Sequence, residues 1–301
     1  MAAGALFHVA WGIESVPLGE GHVFRLEKYT RAARALREAG VPAEAFADAA
    51  PATWEELARV HTPDYLAELR AARHTGRTVA SELDLNSRIV DAFRRMAGGS
   101  IAAARTARER GLAMHFGGGL HHAFAERPEG FCYVNDIAVA IEHLRATSPT
   151  RRAAVIDCDV HQGNGTAWIY RDDPDVFTLS LHQEDNYPVK RESDLDRGLA
   201  DGTGDAPYLE ILEDALAEMS RRHAPEIACY VAGADTFRED LLGGLALTKE
   251  GHAARDRLVL DFLAARSVPC FVVLAGGYAR DLQDTVDIYA ATGREVWKRS
   301  G

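Results

Sequence analysis

Residues Ala153-Ala154-Val155-Ile156-Asp157-Cys158-Asp159-Val160-His161 form the stretch that decides the fold class. The apolar run Ala153–Ile156 is typical of a strand buried on both faces, as in a parallel sheet. Alternate side chains of an extended chain point the same way, so Asp157, Asp159 and His161 should share one side. Ionisable groups at the end of a buried strand are costly unless they are paired or bind a cation. A carboxylate and an imidazole aimed at one point supply two of the three protein ligands of a catalytic metal site.

Further short apolar runs predict strands, and helical patterns separate them. Strands are predicted at Leu6–Val9, Leu112–Phe116, Val176–Leu181, Ile227–Val231 and Cys270–Leu274. Helices are predicted at Glu27–Ala39, Pro63–His74, Ser87–Arg110, Asn135–Ala146, Pro207–Arg222, Lys249–Arg266 and Asp281–Trp297. This alternation indicates an α/β fold with a mostly parallel central sheet between two helical layers. No Pro/Gly/Ser-rich linker or repeat interrupts the 301 residues, so we expect a single domain over residues 1–301.

The composition excludes several classes of function. The formal net charge is −11 and no run of basic residues offsets it, so binding to nucleic acid is not expected. No apolar run approaches a membrane span, and the first residues lack the pattern of a signal peptide. The four cysteines show no CxxC pairing, so neither a zinc ribbon nor a disulfide framework is indicated. We expect a cytoplasmic protein with reduced thiols.

Polar motifs follow four of the predicted strands at their carboxyl ends, where open parallel sheets bind ligands. These motifs are His121-His122, Asp157–His161, Asp235 and Tyr278. A single Asp after a strand is usually a turn or cap residue. Together with Asp159 and His161, however, Asp235 completes two carboxylates and one imidazole, which leaves an open position on a tetrahedral ion. Four polar motifs at one edge of the sheet predict an active site there.

The His pair and the tyrosine suit the chemistry of such a site. Alone, His121 and His122 would be taken as a surface pair, but they follow the glycine-rich turn Gly117–Gly119, which lets the backbone approach closely. Metal-assisted hydrolysis needs a group that takes a proton from water and returns it to the leaving group, and histidine suits both steps. Tyr278 follows Gly276-Gly277, and its hydroxyl is able to donate to a developing oxyanion.

The motifs taken in order resemble those of the histone deacetylase superfamily. They are Gly118–Ala123, Gly130–Asp136, Asp157–Gly165, Ala232–Thr236 and Gly276–Tyr278. The sequence Gln162-Gly163-Asn164-Gly165 is similar to that of the class IV-type branch and of bacterial relatives, and so is the compact length of the chain. The resemblance runs from about Gly21 to Tyr278, and five ordered motifs are far more specific than any one of them. It implies the arginase/deacetylase-like three-layer fold.

The resemblance also implies residue roles. It implies one catalytic zinc ion held by Asp159, His161 and Asp235, and hydrolysis of an acylated amine. His122 would then be the general base and acid, His121 a neighbouring imidazole held by Asp157, and Tyr278 the group that polarises the acyl carbonyl. Asn164 stands where some branches carry Asp, so His122 is expected to lack a charged orienting partner. A neutral amide should raise the pKa of this base less than a carboxylate would.

The substrate channel and a second cation site are implied in the same way. Phe131 would wall an acyl-lysine channel together with Gly130 and Leu242, and the Tyr187-Pro188 stretch is a weaker candidate for it. A structural monovalent cation, potassium, is suggested near Asp157. Its oxygen ligands would come from Asp157, Asp159, His161, Ser180 and Leu181.

Several alternatives stay open. An arginase-type dimetal hydrolase would need bridging carboxylates, yet Gly163 stands two residues after His161 and Thr236 directly follows Asp235. A non-catalytic acyl-lysine binding module would be favoured by loss of Tyr278, His122 or a ligand, and all are present. The substrate could be an acyl-lysine peptide, with acetyl or longer acyl groups, or a small N-acetylated amine or polyamine. The oligomeric state is not indicated.

Overall fold

The structure, a computed structural model, describes residues 6–19 and 21–300. Within these ranges, eight strands form a single sheet in which all neighbouring strands are parallel. The strands are β1 (Phe7–Val9), β2 (Phe46–Asp48), β3 (Leu112–Phe116), β4 (Ala153–Asp157), β5 (Val176–Gln183), β6 (Leu195–Leu199), β7 (Ile227–Val231) and β8 (Cys270–Val273). The helices are α1 (Glu27–Glu38), α2 (Trp54–Leu57), α3 (Pro63–Arg70), α4 (Ser87–Arg110), α5 (Asp136–Thr147), α6 (Asn164–Tyr170), α7 (Asp205–Arg222), α8 (Lys249–Ala264) and α9 (Leu282–Lys298). The predicted three-layer α/β/α fold is confirmed.

The order of the strands brings the polar motifs together. The sheet runs β2-β1-β3-β8-β7-β4-β5-β6, so the four strands that precede these motifs are consecutive neighbours in its centre. Asp157 at the end of β4 is in register with Val231 of β7, and Val231 is in register with Val273 of β8. Because all strands are parallel, their carboxyl ends meet at one edge, and the four following loops converge there.

Local sequence explains where the principal elements start and stop. Every residue of β4, β5, β7 and β8 is buried, as expected of strands covered by helices on both faces. The Asn86 side chain accepts hydrogen bonds from the backbone N–H of Arg88 and Ile89, and so caps the start of α4. Gly111 ends the same helix with a positive φ of 90°, a conformation that glycine adopts without strain.

The elements absent from the prediction are short or lie at an edge. β2 is a three-residue edge strand, and β6 exposes Gly198 while burying only its terminal Leu195 and Leu199. Neither has the continuous apolar run that reveals a central strand. α3 ends at Arg70, four residues before the predicted end, and Ala72 has a positive φ of 46°.

Among the helices of residues 6–19 and 21–300, none is both long and apolar enough to cross a membrane.

Candidate active site

Two loops bring three potential metal ligands together. Asp159 and His161 follow β4, and Asp235 follows β7. One ligand atom from each side chain lies within 4.8 Å of the others, and all three residues are buried. His161 Nδ1 is 3.2 Å from Asp159 Oδ1 and 3.3 Å from Asp235 Oδ2. Across the described part of the chain, no other group of three His, Cys, Asp or Glu side chains has this geometry. The structure thus offers no second cluster for a dimetal site among those residues.

Backbone contacts fix the two carboxylates. The N–H of Gly276 donates to Asp159 Oδ2 at 2.8 Å, and the N–H of Val160 donates to Asp235 Oδ1 at 2.8 Å. A Cβ atom on Gly276 would collide with Asp235 Oδ2, so only glycine permits this approach. Asp235 Oδ2 itself is buried and accepts no hydrogen bond from any residue that the structure describes. A buried carboxylate oxygen that faces an imidazole nitrogen and has a free lone pair fits a metal ligand.

The electrostatics of this cluster fit a bound cation, which would replace the protons that the cluster otherwise holds. Burial opposes a charged His161, but Asp159 and Asp235 outweigh it and raise its pKa to about 10. Burial and the Asp159 carboxylate raise the pKa of Asp235 to about 7. Two buried carboxylates and one imidazole therefore carry an excess of negative charge, which a proton or a metal ion neutralises. The donor set fits a divalent ion with nitrogen and oxygen ligands.

The adjacent histidines occupy different environments. His121 Nδ1 is 2.7 Å from Asp157 Oδ2, whereas His122 Nδ1 is 2.9 Å from the amide oxygen of Asn164. Burial opposes a charged His121, but Asp157 and Asp159 raise its pKa to about 9. Burial, then the neighbouring His121 and His161, lower the pKa of His122 well below 6.5. His121 is therefore charged at neutral pH, whereas His122 is neutral and keeps one unprotonated ring nitrogen.

Tyr278 is positioned from two sides. Its backbone N–H donates to Asp240 Oδ2 at 2.6 Å. The buried Lys28 Nζ lies 4.7 Å from the centre of its ring and contacts the carbonyl oxygens of Ala275 and Gly277 at 3.3 and 3.1 Å. Burial and the nearby Asp159 and Asp235 raise the pKa of Tyr278 well above 10. The phenol therefore remains a hydrogen-bond donor at neutral pH.

A cavity of about 190 Å³ leads from the surface to these groups. Its lining residues are Glu82, His122, Gly130, Phe131, His161, Asn186, Tyr187, Leu242 and Tyr278. The structure thus places the predicted channel residues Gly130, Phe131 and Leu242 on one cavity with His122 and Tyr278.

Two further features shape this cavity. Gly130 has φ +48°, and a Cβ atom on it would lie 2.7 Å from His122 Cδ2, so a side chain there would press on the imidazole. The ring of Tyr187, only weakly indicated by sequence, lies 5.3 Å from that of His122 between centroids.

The residues suggested for a monovalent cation lie on neighbouring segments. Ser180 is in register with Asp157 across β4 and β5, and Leu181 follows it in β5. The Ser180 hydroxyl is 2.9 Å from His182 Nδ1. The structure therefore brings β5 beside the loop that carries Asp159 and His161.

Sequence reasoning assigned no role to three charged residues that support the site, although Asp136 ends the motif Gly130–Asp136. Asp136 accepts the N–H of Gly119 and Leu120 at 3.1 and 2.7 Å, and so anchors the turn before the His pair. Lys28 and Asp240 position the Tyr278 segment, as described above. A signal existed for Lys28, because it lies one helical turn before the buried Ala32 on the apolar face of α1. Asp240 lies in a loop without a periodic pattern, so its sequence carries no comparable signal.

Comparison with known proteins gives matches over most of the chain. Residues 22–292 match the family described as the histone deacetylase domain. An uncharacterized protein of Picosynechococcus is 39% identical over 281 residues, which cover 90% of this chain and 91% of that protein. Histone deacetylase 2 of Arabidopsis thaliana is 30% identical over 304 residues, which cover 96% of this chain and 79% of that protein.

The fold is also similar to a solved structure, that of an acetylpolyamine aminohydrolase from Burkholderia pseudomallei. The TM-score is 0.81 at 21% identity, with 97% of this chain and 98% of that chain covered. The chain belongs to the histone deacetylase family.

Proposed function

We propose that this protein is a zinc-dependent amidohydrolase that removes an acetyl or longer acyl group from an acylated amine, foremost the side chain of acyl-lysine. The observation that carries the proposal is the convergence of three unlike groups. A buried Asp-His-Asp cluster, a neutral imidazole and a protonated phenol lie together at one edge of the sheet. The cavity lined by His122, His161 and Tyr278 opens onto them.

The proposed chemistry divides among named side chains. Asp159, His161 and Asp235 would hold zinc, which at an open three-ligand site lowers the pKa of water and polarises a carbonyl oxygen. His122 would accept the proton of the attacking water at its Nε2 atom and return it to the leaving amine. Tyr278 would donate its hydroxyl to the oxyanion that develops on the acyl carbonyl. The charged His121 beside them would add electrostatic stabilisation of that anion.

A second candidate substrate is a small N-acetylated amine or polyamine. Glu82 lines the same cavity as His122 and Tyr278, and a carboxylate at the entrance would attract a cationic substrate. The formal net charge of −11 acts in the same direction. The similarity to an acetylpolyamine aminohydrolase supports keeping this candidate beside acyl-lysine peptides.

The proposal also includes a monovalent cation and a cellular compartment. Potassium would bind near Asp157, with oxygens from Asp159, His161, Ser180 and Leu181, because β4 and β5 are in register there.

All four cysteines are buried and unpaired in the described chain, which supports a reducing compartment such as the cytoplasm.

The test is hydrolysis by the zinc-loaded protein across a matched substrate panel. The panel contains acetyl-lysine and longer acyl-lysine peptides and a free N-acetylated polyamine, with His122→Ala as the inactive control. We expect turnover of at least one class that requires both zinc and His122. Binding of the acyl-lysine peptides without any hydrolysis would favour the non-catalytic binding module instead.

A further inference from the structure

A hydrogen-bonded chain leads from His122 to a charged group near the surface. His122 Nδ1 lies 2.9 Å from Asn164 Oδ1, and Asn164 Nδ2 donates to Glu129 Oε1 at 2.7 Å. From the amide at position 164, the sequence predicts a His122 without a charged orienting partner. The structure instead places a carboxylate behind that amide.

The donors and acceptors of this chain fit only one arrangement. An ionised carboxylate accepts hydrogen bonds and donates none, so Glu129 requires the NH₂ group of Asn164 to face it. The amide oxygen must then face His122, and it requires a proton on Nδ1 of that imidazole. His122 Nε2 then has no proton of its own, and its lone pair faces the Nε2–H of the charged His121 at 3.1 Å. This tautomer has its basic nitrogen away from Asn164.

Glu129 is held in place and is not a freely moving surface side chain. Its backbone pairs with that of Cys132 through two hydrogen bonds of 3.2 and 2.9 Å. Its second oxygen, Oε2, is 2.9 Å from Arg127 Nη2, and the Arg127 guanidinium stacks 3.4 Å from the centre of the Phe124 ring. The Glu129 side chain is 20% exposed. The segment that holds the carboxylate continues directly into Gly130 of the cavity wall.

We propose that Glu129 is a positioning residue that acts through Asn164 to fix the tautomer and orientation of His122. The inference rests on the proposed function, in which His122 is the proton acceptor. Asn164 serves as a spacer that transmits the direction of the hydrogen bonds while keeping the negative charge away from the imidazole. In the Ser-His-Asp triad of serine proteases, loss of the correct histidine tautomer costs several powers of ten in turnover.

The first test is Glu129→Gln, which keeps the size of the side chain but replaces a group that only accepts hydrogen bonds with a neutral amide that accepts or donates, so the orientation of Asn164 is no longer fixed. Glu126→Gln changes an exposed glutamate three residues away in the same segment and is the matched control. We expect kcat to fall about 10- to 100-fold in Glu129→Gln, with little change in KM and the same zinc content. Equal kcat values in the two variants would contradict the proposal.

The second test asks whether Glu129→Gln, which should lower kcat in the wild-type background, raises kcat once Asn164 has been changed to Asp. Asn164→Asp places two carboxylates against each other, which should lower kcat because they repel. Adding Glu129→Gln to Asn164→Asp supplies an NH₂ donor to the introduced carboxylate, so kcat should rise. The same Glu129→Gln change would thus lower kcat in one background and raise it in the other. A loss by the same factor in both backgrounds would show an ordinary structural role and overturn the proposal.

A spectroscopic readout separates this inference from the proposed function. In ¹⁵N spectra of the zinc-loaded protein, with His122 assigned by difference from His122→Ala, Nδ1 should carry the proton. Glu129→Gln should shift the population toward the Nε2–H tautomer, and Glu126→Gln should not. An unchanged His122 spectrum in Glu129→Gln overturns the inference even if the enzyme is active. Absence of hydrolysis in the wild-type protein would instead count against the proposed function, and the spectra would still decide the role of Glu129.

Discussion

The floor and the mouth of the cavity are built differently. We call the buried cluster of Asp159, His161 and Asp235 the floor: His161 lines the cavity, and the two carboxylates lie against this imidazole, on loops that directly follow two central strands. The mouth, formed by Glu82, Tyr187 and Leu242, lies on loops, and Tyr187 is 41% exposed. Floor carboxylates are fixed by backbone N–H donors, whereas the mouth offers side chains to solvent. The comparison indicates that the fold fixes the chemistry and leaves selectivity to loops, which tolerate change more readily.

Removing a floor carboxylate should have the largest effect. We expect Asp235→Ala to abolish both zinc binding and turnover, because it leaves only two protein ligands. Asp185→Ala removes an exposed carboxylate from the loop that carries Tyr187 and should change neither. Zinc content and kcat of the two variants test this. An Asp235→Ala variant that retained zinc-dependent activity would remove Asp235 from the ligand set.

His122→Ala should separate proton transfer from metal binding. We expect kcat to fall about 10²- to 10⁴-fold while zinc content is unchanged, because this imidazole moves a proton and holds no metal. His121→Ala should be milder, since that side chain acts through charge and through Asp157. Loss of zinc in His122→Ala would refute the assignment, and a larger loss of turnover in His121→Ala would exchange the two roles.

Tyr278→Phe removes one hydroxyl from the side of the cavity and leaves the ring in place. Loss of one oxyanion donor typically costs about 10²- to 10³-fold in turnover. The loss should fall on kcat more than on KM, because the donor matters most when charge develops on the oxygen. Near-normal kcat in this variant would mean that the metal site stabilises the oxyanion without Tyr278.

The mouth should show the smallest effect. Glu82→Gln should lower kcat/KM for a cationic N-acetylated polyamine by at most about fivefold, since exposed charge pairs are worth up to about 1 kcal/mol. The effect should weaken as salt increases, and a neutral acetyl-lysine peptide should serve as the unaffected control substrate. If Glu82→Gln lowered kcat/KM on both substrates as much as Tyr278→Phe does, the mouth would contribute as much as the interior of the cavity, and the comparison would be wrong.

The same distinction explains how much of the molecule is predictable from sequence. The predicted bounds of β3 and β7 agree with the structure to the residue, because buried parallel strands read as continuous apolar runs. The residues of the floor follow such runs directly, so the sequence points to Asp159, His161 and Asp235 together. Glu129 and Asp240 escape prediction because their partners are distant in the chain and their loops have no periodicity. Contacts of this kind become visible only when the fold brings the segments together.

The most direct test of the account is metal removal followed by stepwise return of zinc. Chelation should abolish hydrolysis, and activity should return in proportion to added zinc until about one equivalent per chain, since the ligand set supports a mononuclear site. Asp235→Ala, treated in the same way, should regain no activity. Full activity in the metal-free protein, or a requirement for two equivalents of a divalent ion, would contradict the central claim that one buried Asp-His-Asp metal site performs the hydrolysis.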